Sequence, residues 1–175
     1  MQIPITKADS YISSRIYKVL RAHIRYLDGF LEELNFITDF IVYVILFILV
    51  ITRHFISIPL AIIVYESSVF IQRFFERKRP YEVFNIIHSN YSAKGHSFPS
   101  SHSAVSIFLL LYYFNLPVIW ILIIVPILRI ITLNHWLTDI LGGALIGILF
   151  FAGIKFFLPI FIKVFKYYLN SLFYG

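Results

Sequence analysis

Long apolar runs separated by short polar breaks occupy most of this chain. Phe36 to Thr52 and Phe55 to Phe75 each approach the ~20 residues that a helical bilayer span requires. The polar pair Arg53-His54 divides them, which predicts a helical hairpin. Ser101 to Phe114 and Leu116 to Leu133 follow, split at Asn115 and Pro117, and a fifth run extends from Trp136 to Ile154. Ahead of these, Tyr11 to Leu34 spaces Ile12, Ile16, Val19, Leu20, Ile24 and Leu27 among Arg15, Lys18, Arg21, Arg25, Asp28, Glu32 and Glu33. That spacing predicts an amphipathic helix lying on a membrane surface. Glu76 to Phe98 is the one long polar segment and must lie outside the hydrocarbon. Phe156 to Tyr174, interrupted by Pro159, Lys163 and Lys166, reads as either a sixth span or an interfacial helix. Gly142, Gly143 and Gly147, with Ala144, give the fifth run a small-residue face for close helix packing. The expectation is an all-α integral membrane protein: a bundle of five to six transmembrane helices with an N-terminal amphipathic interfacial helix. It forms a single domain, 1–175, with an interfacial segment 1–34, a helical core 36–154 and the final helix 156–175.

Composition strengthens the membrane reading. The 175 residues are 59% hydrophobic and 14% charged, with 19 Phe and 12 Tyr, too little polar surface for a water-soluble domain of this length. The formal charge of +6 sits between the apolar runs without any base-stacking or groove-reading motif, so anionic lipid head groups, not nucleic acid, are the partner it predicts. Absence of Cys removes disulfides and thiolate metal sites. The polar stretch Met1 to Ser14 does not read as a signal peptide, which leaves insertion to the internal spans.

Three short stretches carry the chemistry: Arg79-Pro80, Pro99-Ser100-Ser101-His102, and Arg129 followed by His135 and Asp139. The arginines supply permanent charge and forked donors for phosphate oxygens. Pro-Ser-Ser-His reads as a helix start whose free backbone N–H groups favour an anion. His102 and His135 can divide proton transfer and nucleophilic attack. Asp139, four residues after His135, would lie beside the imidazole on a helix and fix its tautomer. Counting spans places all three stretches at one membrane surface, which is what a shared site requires. A metal-binding use of His135 and Asp139 lacks a third ligand at a recognisable spacing. His23, His54, His88 and His96 read as ordinary polar residues, and Arg77-Lys78 as a topology signal. Glu66, near the middle of its span, reads equally as a functional acid or as a helix-helix hydrogen-bonding group.

In these motifs the chain resembles the type 2 phosphatidic acid phosphatase superfamily, which includes glucose-6-phosphatase and the vanadium haloperoxidases. Its pattern is Lys, six residues, Arg-Pro; then Pro-Ser-Gly-His; then Ser-Arg, five residues, His, three residues, Asp. Here the second motif is Pro99-Ser100-Ser101-His102 and the third is Leu128-Arg129, five residues, His135, three residues, Asp139. The resemblance implies that His135 attacks phosphorus to form a phosphohistidine, with Asp139 orienting it, while His102 protonates the leaving oxygen and later activates water. It implies that Arg79, Arg129, Ser100 and the Ser101 backbone N–H hold the phosphate, and that no metal or other cofactor is needed. Gln72 stands where the family has Lys, with Arg73 as the candidate substitute, and Leu128 replaces the family Ser.

The expected activity is a metal-independent lipid phosphatase. Its substrate is a lipid phosphate or diphosphate within the bilayer, with lipid A 1-phosphate or another envelope lipid ranked first and no obligatory protein partner evident. A lipid-to-lipid phosphotransferase and a non-catalytic lipid-binding or transport protein are the alternatives. Positive-inside counting puts the site in the cytoplasm. The resemblance points instead to the periplasmic side of a bacterial inner membrane and is given more weight, since part of the charge is accounted for by phosphate binding.

Overall fold

The computed structural model describes residues 3–86 and 96–174, and all regular structure among them is helical. Helix α1, Lys7–His23, opens on a reciprocal cap. The Thr6 hydroxyl accepts from the Asp9 N–H at 3.1 Å and the Asp9 carboxylate accepts from the Thr6 N–H at 3.1 Å. The chain turns at Ile24 to Tyr26 and enters α2, Leu27–Ile51. The sequence reading extended the surface helix to Leu34, and the structure corrects it: residues 27–34 are the first turns of α2. Leu27, Leu31, Asn35, Thr38, Val42, Ile45 and Leu49 form one continuous buried stripe along α2. This packing outweighs the local change from charged to apolar.

A turn through Arg53, in left-handed conformation at φ 64°, leads to α3, Ser57–Gln72. The short α4, Pro80–Val83, precedes α5, Ser101–Tyr112. A 3-10 run, Pro117–Ile123, passes directly into α6, Ile124–Ile131, and α7 is Leu137–Ala152. The last segment continues in line from α7. A π-helical turn, Gly153–Phe157, joins α7 to α8, Leu158–Tyr174, without reversing the chain. The wider turn has a local cause, because the Pro159 ring would collide with the Lys155 carbonyl in a regular α-helix.

Helix α5 is the centre of the bundle. Ala104, Val105, Phe108 and Leu109 are buried against Val42, Ile45 and Leu49 of α2, Ala61 and Val64 of α3, and Ile119, Leu122 and Val125. The small face predicted for α7 lies against α5. A Cβ at Gly147 would stand 2.5 Å from the Ala104 carbonyl oxygen, and one at Gly143 would overlap that of Ser100. In lipid, where apolar surface gains nothing by leaving solvent, such close contact is a main source of helix cohesion. The outward faces remain apolar, with Phe36, Phe40 and Phe47 on α2 and Leu141, Leu145 and Leu149 on α7 all exposed. Two helical stretches, Leu27–Ile51 and Leu137–Leu169, are long and apolar enough to cross a membrane. Ser57–Gln72, Ser101–Tyr112 and Pro117–Ile131 are shorter apolar helices. A second cluster, Leu27, Leu31, Tyr81, Ile86 and Leu133, packs against Ile16, Tyr17, Leu20 and Ile24 and seats α1 over the end of the bundle where the three motifs meet.

Candidate active site

His135 follows the end of α6. Leu133, in left-handed conformation at φ 56°, bends the chain there. That conformation costs a residue with a Cβ about 1–2 kcal/mol, and full burial of the Leu133 side chain offsets it. The His135 ring is 2% exposed. Its Nδ1 lies 2.8 Å from the Ser97 carbonyl oxygen, so Nδ1–H donates there, and Nε2, 3.3 Å from an Arg79 guanidinium nitrogen, accepts. This tautomer leaves the Nε2 lone pair facing the cation. Burial first, and then the Arg79 charge, push the His135 pKa down to about 4 against the opposing pull of Asp139.

Arg79 is itself buried and donates to the carbonyls of Asn134 at 3.1 Å and His96 at 3.2 Å, while its backbone N–H donates to Glu82 at 2.6 Å. Pro80, with no N–H to satisfy, opens the short helix that follows. The Trp136 indole donates to the Lys78 carbonyl at 2.8 Å, and the Tyr81 N–H to Leu133 O at 3.0 Å. The first and third motifs are thus joined by direct contacts.

Asp139 does not make the hydrogen bond to His135 that its spacing suggests. Its carboxylate approaches Nδ1 only to 3.7 Å, and the Ser97 carbonyl takes that position. The reason lies in the helix boundary: α7 starts at Leu137, so His135 precedes it and the one-turn geometry of a helix does not apply. Asp139 accepts instead from the Trp136 N–H at 2.8 Å, capping the helix, and pairs with the Arg77 guanidinium. Arg77, read from sequence as a topology signal, is buried and also donates to Asp9 at 2.7 Å and to Thr138 at 2.7 Å.

The other half of the site is built on α2 and α5. His102 Nε2 lies 2.9 Å from an Asp39 carboxylate oxygen, and the same oxygen accepts from Arg129 at 2.5 Å. Arg129 also donates to Asn35 at 3.4 Å, and Asn134 donates to that same Asn35 oxygen. Asp39, Asn35, Asp9 and Ser97 were not singled out by sequence reasoning. A carboxylate within the apolar run from Phe36 was the available signal for Asp39, because such a group is costly in a bilayer and marks function by default. Asp9 and Ser97 give no such signal, since both act through contacts with residues far along the chain.

The second motif is fixed to the third by the Ser100 N–H, which donates to the Asp139 carbonyl at 3.0 Å. Ser100 caps α5: its hydroxyl accepts from the Ser103 N–H at 3.4 Å and from the Ser103 hydroxyl at 3.0 Å. Ser101 is buried at the first position of α5, where helix N–H groups have no intrahelical acceptor. Gln72 is buried and donates to the Pro99 carbonyl at 2.6 Å, supporting this turn, whereas Arg73 is exposed on the outer surface. Of the two candidates for the missing lysine, the structure therefore brings only Gln72 to the second motif. His23 bonds its own helix at Val19 O, His54 meets the Tyr113 ring edge-on, and His96 contributes its carbonyl; His88 lies outside the described residues.

Beside His102 a cavity of about 190 Å³ runs between α2 and α3. Asp39, Tyr65 and Glu66 line its polar part and Val42, Leu46, Ala61, Ile62 and Val105 its apolar part. Glu66 is exposed at this groove, and the Tyr65 ring stands edge-on to His102 with centroids 6.0 Å apart. Among the described residues no three His, Cys, Asp or Glu side chains come together to hold a metal ion.

Buried arginines facing an imidazole whose Nε2 carries no proton, beside a second imidazole held by a carboxylate, can bind a phosphoryl group and move it to nitrogen. No curated protein and no solved structure gives a match, but the description of the PAP2 superfamily matches residues 43–163, a region holding every motif residue discussed above. The chain belongs to the PAP2 superfamily.

Proposed function

We propose that the protein is an integral-membrane lipid phosphatase working through a phosphohistidine on His135. The observation that carries this reading is the His135 Nε2, deprotonated by virtue of the Nδ1 bond to Ser97 and set 3.3 Å from Arg79. In the first step Nε2 forms a bond to phosphorus as the phosphorus–oxygen bond to the lipid breaks, and His102 gives its proton to the departing oxygen. In the second step water attacks phosphorus, His102 takes up the water proton, the phosphorus–nitrogen bond breaks and inorganic phosphate leaves. Arg79 and Arg129 hold the equatorial oxygens with the N–H of Ser101 and, around the cap, Ser100. Charge stabilisation by such preorganised donors is worth about 3 kcal/mol for each one removed.

A lipid substrate is supported by the groove beside His102, which is polar at the catalytic end and apolar beyond it. The head group would meet the arginines, with the first carbons of one acyl or prenyl chain against the apolar lining. Within this class a bacterial envelope lipid phosphate, lipid A 1-phosphate first, remains the favoured substrate, with the protein crossing the inner membrane in five passes, since α8 continues α7 without reversing, and the site towards the periplasm. The test is phosphate release by the purified protein from lipid A 1-phosphate, undecaprenyl diphosphate, phosphatidylglycerol phosphate and phosphatidic acid. Turnover of at least one in the presence of EDTA, blocked by vanadate and abolished in His135→Ala, is expected. Hydrolysis that persists in His135→Ala overturns the mechanism, and lipid binding without hydrolysis makes the protein a carrier.

A further inference from the structure

Among the described residues, nothing covers helix α8. Every residue from Lys155 to Tyr168 is exposed, and α8 packs chiefly against the π-helical turn that precedes it. The run Leu137–Leu169 has 33 residues, about 50 Å of helix against about 30 Å of hydrocarbon. Leu137 stands at the active-site end of the bundle, so α8 lies past the opposite face of the membrane. Its surface is nevertheless two-sided. At about 100° per residue, Phe157, Phe161, Val164, Phe165 and Tyr168 share one side, each more than half exposed, and the Phe161 and Phe165 rings stack with centroids 6.0 Å apart. Lys155, Lys163 and Lys166 share the other side, within about 80° of arc. The lysine side is the inner one, because Lys155, Pro159 and Ile162 line a notch beyond the end of α5 together with Tyr112, Phe114 and Asn115.

We infer that α8 is a docking helix for an anionic bilayer surface, bent outward at the π-helical turn to lie along the membrane face opposite the active site. The turn is the weak point of the rod: its wider winding interrupts the regular ladder, and Pro159 has no N–H to donate to the Lys155 carbonyl. The direction of the bend follows from the two sides. An outward bend lowers Phe157, Phe161 and Phe165 into the acyl region and raises the lysines to the level of the lipid phosphates, the arrangement of a surface helix with a basic polar face. An inward bend would press the lysines onto Tyr112 and Phe114 and leave the phenylalanines in water. A return crossing would need a reversing loop, which is absent between α7 and α8, and would put Lys163 and Lys166 in hydrocarbon. Each lysine near an anionic surface strengthens association about fivefold, so negatively charged head groups are the partner this helix fits. The inference does not depend on what is hydrolysed at His135.

The chain has no Cys, so a single introduced thiol reports on either side of the helix. Phe161→Cys and Lys163→Cys, both at exposed positions outside the bundle, are placed in nanodiscs that hold one copy of the full chain in phosphatidylcholine with a minority of phosphatidylglycerol. Each is modified with a water-soluble maleimide, and its rate is taken relative to the same variant unfolded in dodecyl sulfate. Phe161→Cys should react about tenfold more slowly than Lys163→Cys. In pure phosphatidylcholine Phe161→Cys should react faster than in the anionic discs, by about tenfold or more, and adding Lys163→Gln and Lys166→Gln should cut that lipid dependence to about fivefold or less. Equal rates in the two thiol variants mean that α8 stands in water or needs a second copy to cover it, and overturn the inference. Protection of Lys163→Cys with free reaction of Phe161→Cys shows an inward bend and also overturns it, as does protection of both. A Phe161→Cys rate that is the same in the two lipids overturns the assignment of the lysines to anionic head groups.

Discussion

Asp39 occupies the position most sensitive to a change of charge alone. Its carboxylate oxygen accepts from His102 at 2.9 Å and from Arg129 at 2.5 Å, two of the donors that phosphoryl and leaving oxygens require. Asp39→Asn keeps the shape and leaves an amide oxygen for Arg129, so the fold persists while the negative charge is lost. Two consequences of opposite sign follow. The protonated form of His102 loses a charge-assisted partner worth about 1.5–3 kcal/mol, which should lower kcat by about ten- to a hundredfold. An anion bound to the same donors would stand roughly 5 Å from the carboxylate, where repulsion at an effective dielectric near 20 is about 3 kcal/mol per unit charge. The Asp39 side chain is 23% exposed, so screening takes about half of this, and vanadate should bind about tenfold more tightly to the variant. The assay is kcat on a lipid phosphate together with vanadate inhibition, both at fixed ionic strength. If kcat and vanadate affinity fall together, Asp39 is only a structural anchor for Arg129 and its assigned relation to His102 is wrong.

Other outcomes can be measured with the same preparation. Because the His135 pKa is depressed to about 4 from 6.5, the unfolded chain binds more protons in that window, so stability should rise with pH between about 4 and 6.5 and acid should erode it. On the same ground, the limb of kcat/KM set by His135 should appear only as pH falls through about 4; a His135 limb near 6.5 would show that the imidazole is not shielded. Gly143→Val places side-chain carbons against the Ser100 carbonyl and should cost about 1–3 kcal/mol of packing, lowering Tm by several degrees and kcat with it. Gln72→Ala removes the bond to Pro99 and should lower activity at a cost of about 1–3 kcal/mol. Arg73→Ala, at an exposed position, should change kcat/KM by less than about twofold; a tenfold loss there would return the missing-cation role to Arg73.

The helical class, the apolar runs and the three motif blocks were legible because each is a local pattern: spacing, run length or a helix-start dipeptide. The meeting of Arg79, Ser100, His135 and Asp139 followed from span counting, and their contacts in the structure agree with it. What sequence could not supply was the partner of each buried charge. The pairing of Asp139 with Arg77 depends on where α7 begins, and a boundary one or two residues later than expected turned an imidazole partner into a helix cap. The division between α1 and α2 was misplaced because charge pattern was used where a continuous buried stripe decides. Asp39 could have been found by treating its carboxylate as costly in an apolar run, whereas Asp9 gains meaning only from a contact 68 residues away along the chain.

The order in which the chain is made gives the buried cluster a role in biogenesis. Asp9 leaves the ribosome 68 residues before Arg77, and Asp139 follows 62 residues after it. While the later helices are still being synthesised, the arginine has one of its two acidic partners already present, and that pair is neutral. Burial of an unpaired arginine beneath α1 would carry a desolvation cost, and the Asp9 pair is available to offset it before α7 arrives. Asp139 then completes the cluster at the moment the last catalytic residue is laid down. Loss of the first turns of α1 should therefore be felt as a lower yield of inserted protein before it is felt as slower chemistry.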